Sequence, residues 1–121
     1  MNFFDSFYKK DKDQKKMNFS LEVGPHTDLE TLPPVKDVYV TMLPGGDYKE
    51  TAAKSGDLVK KGFNPVPHFP ARSILDEHQL KDFITRCKDV GTKQALVIGG
   101  SRDPIGKFDS SIQILETGFF D

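Results

Sequence analysis

The chain has 121 residues, 17 Lys and Arg against 18 Asp and Glu, a formal net charge of -1 and one cysteine, which fits one small domain. There is no basic excess to hold nucleic acid or an anionic membrane, and no second cysteine for a disulfide or Cys and His cluster at zinc spacing, so no metal site is expected. No apolar run approaches the roughly 20 residues that cross a bilayer and the start lacks the marks of a signal peptide, so a cytoplasmic setting without membrane attachment is expected.

Residues 1–17 read as a mobile charged leader, because Lys9 to Lys16 (K-K-D-K-D-Q-K-K) contain no apolar residue and can bury nothing. Ahead of that run, Phe3, Phe4, Phe7 and Tyr8 sit at helical spacing, suited to a short amphipathic helix that covers core or meets a partner. Phe19 to Val23 alternates apolar and polar residues and stops at Gly24-Pro25, the pattern of a half-buried strand. Val38 to Leu43 is a second strand, ended by Pro44-Gly45-Gly46. Asp47 and Glu50 then form a capping box for a helix running to about Lys61, with Gly62 past its end.

Asn64 to Phe69 is a third extended run in which Pro65 and Pro67 suggest an interrupted strand. Asp76 and Gln79 cap a second helix whose stripe is Leu80, Phe83, Ile84, Cys87 and Val90, with Gly91 as its stop. Gln94 to Ile98 is apolar on consecutive positions from Ala95, as a strand buried on both faces is. After residues 99–104, Asp109 is expected to cap a last helix carrying Ile112 and Leu115.

Strands alternating with helices argue an α/β fold with a parallel sheet and right-handed crossovers. Units of about 25 to 30 residues, repeated eight times, make a (β/α)8 TIM barrel. Residues 18–121 therefore read as four βα units, the N-terminal half of such a barrel, truncated or completed by a partner. A small four-stranded open sheet is the structural alternative.

Ligands of parallel α/β folds sit at the carboxyl ends of the strands, and those ends are polar here. Glu22 closes the first strand, where burial inside a barrel would raise its pKa and suit it to general acid work. A structural pairing with a Lys or Arg is its other reading. Thr41 offers a hydroxyl at the end of the second strand and His68 an imidazole at the end of the third. His26 lies near the mouth and His78 on the surface. Gly99-Gly100-Ser101-Arg102 follows the fourth strand with two residues lacking a Cβ, so backbone N–H groups can approach an anion and Arg102 can add a contact. A tight turn needs the same glycines, as does the turn at Gly45-Gly46. Cys87 reads as core.

Taken together, these strand ends resemble the methylenetetrahydrofolate reductase family. Ser20-Leu21-Glu22-Val23-Gly24-Pro25 is similar to its S-F-E-F-x-P strand, Val40-Thr41 to its V-T, Pro67-His68 to its P-H, and Leu96 to Gly106 to its A-L-R-G-D-x-P-x-G loop. The resemblance covers residues 18–121 and implies a (β/α)8 flavoprotein of one-carbon metabolism. Such an enzyme holds FAD at the barrel mouth, takes reducing equivalents from NADH or NADPH and converts 5,10-methylenetetrahydrofolate to 5-methyltetrahydrofolate. Carried over residue by residue, the family's general acid falls on Glu22. Its flavin contacts fall on Thr41, His68 and the loop Gly99, Gly100 and Ser101, and Asp103 stands nearest to its folate-contacting aspartate. The chain departs from the family at Met42-Leu43-Pro44, where the family has Tyr-Gly-Ala, and at Gly99-Gly100-Ser101, where it has Arg-Gly-Asp. Two other functions fit the pattern of elements: a flavin-free barrel handling folate or methyl groups, and a non-catalytic half barrel that assembles with a second chain. A homo-oligomer or a missing C-terminal half is expected as the partner.

Overall fold

A computed structural model describes residues 20–121. The leader at 1–17, its aromatic cluster and Phe19 lie outside the described residues. Strands β1 (Leu21–Val23), β2 (Asp37–Val40), β3 (Asn64–Pro70) and β4 (Leu96–Ile98) form one sheet in the order β1-β2-β3-β4. Every neighbouring pair is parallel. Helix α1 (Tyr48–Lys60) follows β2, α2 (Glu77–Asp89) follows β3 and the short α3 (Ser111–Leu115) follows β4. This is an α/β fold of alternating βα units.

The order decides where the core sits. When each parallel strand lies beside the preceding one and the crossovers share one hand, all the helices fall on the same face of the sheet. Val38 and Val40 accordingly pack with Leu58 of α1. Phe69 stacks on Phe83 of α2 with centroids 3.9 Å apart and meets Phe120 edge-on, in the same cluster as Ile114 of α3. Side chains alternate between faces along a strand, so Glu22, Tyr39, Val66, His68 and Leu96 belong to the opposite face, which no described helix covers. The β1 to β2 connection has no helix, and its Leu29 closes the core beside Val23.

The helix signals hold with adjustments at the caps. Asp47 caps α1 by accepting from the Lys49 N–H, while the Glu50 carboxylate turns to His26 at 3.4 Å instead of closing a capping box. Asp76 caps α2 by accepting from the Gln79 N–H, and the Gln79 side chain reaches one residue further back, to the Leu75 N–H. Gly62 and Gly91 take φ of +89° and +92° just past the two helices, where a side chain would be strained. The two helices pack closely at Gly56, where a Cβ would stand 2.9 Å from Val90 Cβ.

Three expectations are corrected. Pro65 and Pro67 do not interrupt β3, which is continuous over Asn64–Pro70. The N–H groups of a strand point alternately to its two neighbours, and the Asn64 N–H bonds to Lys36 O beside β2. The nitrogens of Pro65 and Pro67 therefore face the β4 side, where pairing begins only at His68, and the prolines forfeit no ladder bond. Second, β4 is not buried on both faces: Leu96, Val97 and Ile98 are all half-buried, because among the described residues β4 has one strand neighbour and one face without a helix. Third, Ser110 and not Asp109 caps α3, through a reciprocal bond with Gln113. Within α3 Ile114 is buried and Leu115 half-buried, while Ile112 is exposed.

Candidate functional site

The open face carries the polar residues. At its lower end Asn64 donates from one amide group to Asp37 Oδ1 at 2.9 Å and to Gln94 Oε1 at 2.6 Å, bridging β2, β3 and the approach to β4. Above that bridge lies a cavity of about 380 Å³ lined by Ser20, Leu21, Glu22, Tyr39, His68 and Leu96. Glu22 and His68, singled out from the sequence on different strands, therefore share one site. Glu22 is exposed, so these residues do not supply the burial expected to desolvate its carboxyl. His68 is half-buried, and burial holds its imidazole below the ordinary value while the Glu22 carboxylate pulls it partly back. The neutral ring this favours has one donor and one acceptor nitrogen.

Thr41 and the loop after β4 stand apart from that cavity. The Thr41 hydroxyl donates to Val23 O at 3.3 Å, and its backbone N–H donates to the same oxygen at 2.9 Å. The Thr41 carbonyl accepts from the buried Thr51 hydroxyl of α1. Thr41 thus ties the ends of β1, β2 and α1 together. The carbonyls of Gly99 and Gly100 are taken by the Arg72 N–H at 3.0 Å and the Arg72 guanidinium at 3.2 Å. Gly100 has φ of +100°, and a Cβ at Gly99 would meet nothing within 4 Å. Ser101 and Asp103 are exposed and Arg102 is half-buried.

Two residues escaped the sequence reading. Arg72 occupies a 3-10 turn directly after β3 and holds the whole β4 loop, since its Nε also donates to Asp109 O and Oδ1. Ile105 N–H closes the link by donating to Arg72 O. Nothing in the sequence marks Arg72 apart from other surface arginines. Tyr39 did have a signal: the alternation that places Thr41 at the strand end places Tyr39 on the same face two residues earlier. Its ring lies edge-on to His68, with centroids 6.0 Å apart and planes at 60°.

His26 and His78 are exposed and lie outside the cavity. Cys87 is fully buried on α2, where burial pushes its thiol far up, so it is a packing residue. A second cleft of about 350 Å³ lies at the start of α1, beside Gly45, Gly46, Asp47 and Ser73. Gly45 there has φ of +79°, as the turn requires. Among the described residues no group of three or more His, Cys, Asp or Glu is placed to hold a metal ion. No described helix is long and apolar enough to cross a membrane. No protein-family model matches the chain.

Proposed function

We propose that the chain is the N-terminal half of a (β/α)8 barrel flavoenzyme similar to methylenetetrahydrofolate reductases. The observation that carries this reading is the meeting of Glu22 and His68 in one cavity, on the face of the parallel sheet that no described helix covers. A sheet face without a described helix, and two strands with one described neighbour each, are what half of a closed barrel presents. A flat ring system fits the residues present: His68 and Tyr39 offer two aromatic surfaces, and the open space beside Gly99 lets backbone come close.

FAD, when bound, supplies hydride transfer from NADH or NADPH to 5,10-methylenetetrahydrofolate. The chain's residues supply binding and a proton. In this reading His68 would contact the flavin, and Thr41 would keep the ends of β1 and β2 in register. The loop Gly99, Gly100 and Ser101, held by Arg72, would supply further flavin contacts, and Asp103 a contact to the folate. Glu22 gives a proton to the folate nitrogen that leaves as the five-membered ring opens. In the full-length protein, Glu22→Gln is expected to leave flavin reduction by the nicotinamide cofactor nearly intact and to lower folate reduction about 10²-fold or more, as measured by stopped-flow absorbance of each half-reaction. An equal fall in both makes Glu22 structural, and a protein purified without flavin that binds none favours the flavin-free barrel. That β1 and β4 each have one strand neighbour among the described residues favours the assembly reading second, which a monomer in sedimentation overturns.

A further inference from the structure

We infer that Tyr39 is a positioning residue for the His68 imidazole, an assignment that rests on reading this face as a flavin site. Tyr39 lies in β2 between the two residues the sequence had marked. Its register partner on β1 is Glu22 and on β3 is Val66, so His68 is its diagonal neighbour on the same face, within reach of an aromatic ring. The rings meet edge to face, the arrangement in which the positive edge of one opposes the negative face of the other. Among the described residues no hydrogen bond holds the His68 side chain. The ring contact with Tyr39 constrains its plane.

The orientation has chemical consequences. In a neutral imidazole one nitrogen donates and the other accepts, so the plane of the ring decides which of them a flat ligand above the cavity meets. The titratable groups facing His68 are Glu22 from β1 and Tyr39 from β2, while β4 contributes Leu96. With Met42-Leu43-Pro44 following Thr41, Tyr39 is the aromatic residue that β2 brings to this face.

The test uses the full-length protein with Tyr39→Leu and Tyr39→Phe. Two quantities are read: the titration midpoint of His68 by imidazole NMR, and FAD affinity by quenching of flavin fluorescence. Loss of the ring in Tyr39→Leu is expected to let water reach His68, move its midpoint up toward the ordinary 6.5, and weaken FAD binding about tenfold, the scale of one aromatic pair. Tyr39→Phe keeps the ring and is expected to match the wild type in both. A wild-type midpoint and affinity in Tyr39→Leu overturns the assignment. So does a Tyr39→Phe protein whose midpoint has shifted, a result that stands even where the Leu variant does not fold. A wild-type protein that binds no FAD overturns the flavin reading, and the His68 midpoints of the two variants then decide the positioning role alone.

Discussion

The two faces of the sheet are built from the same strands and obey different rules. On the helix side Val38, Val40 and Phe69 are fully buried and apolar, and each side chain is held by several neighbours. On the open side a carboxylate, an amide bridge, a phenol and an imidazole alternate with them, residue by residue. Period-two geometry lets a single strand give one set of positions to the apolar core and the other to polar side chains. Substitutions on the first face should register in unfolding, and those on the second in binding and protonation.

The sharpest way to break that contrast is Phe69→Ala. Its ring is stacked on Phe83 and fully buried, so truncation is expected to cost about 3–5 kcal/mol, read as a lowered denaturant midpoint. A loss below about 1 kcal/mol would mean the helix side is not the core. Gly56→Ala comes next. It gains up to about 1 kcal/mol of helix propensity but drives a Cβ to within 2.9 Å of Val90 Cβ, and overpacking costs about 1–3 kcal/mol. A net loss is expected, recovered when Val90→Ala is added, and the double-mutant cycle measures the coupling.

The smallest effect belongs to the open face. Burial depresses His68 in the folded state below the 6.5 of the unfolded chain, so between those values the unfolded chain binds more protons. This contribution to stability is complete above pH about 6.5 and is lost as the pH falls through 6.5 toward the lower folded value. Denaturation at about pH 7.5 and about pH 5.5 should show a drop in the wild type that His68→Gln reduces. An equal drop in the variant assigns the pH response to other groups.

The helix side was the more legible of the two. The stripe on α2 and the glycine stops stand in the sequence because burial and backbone geometry are local constraints. The continuity of β3 was hidden, since whether Pro65 and Pro67 break a ladder depends on which neighbour their nitrogens face. The half-exposure of β4 was hidden for a similar reason, because Ala95 to Ile98 reads alike for a central and an edge strand. At the site, Glu22 and His68 could be marked one at a time by their strand ends. Their meeting in one cavity, and the ring of Tyr39 between them, depend on register across strands that sequence spacing does not encode. Arg72 acts on Gly99 and Gly100 through backbone groups, which have no residue type to recognise, and its ion pair with Asp109 joins residues 37 apart in sequence.

The strand order also shapes how the molecule is made. Because β2, β3 and β4 each pair with the strand before, every new unit emerging from the ribosome finds one neighbour already laid down. Each step still closes a crossover, with Val40 paired to Pro67 and His68 to Leu96, and that closure is the entropic cost of each pairing. The sheet grows like a wall laid course by course, and β3, the longest strand, is the course on which the Arg72 clasp and the last two elements rest.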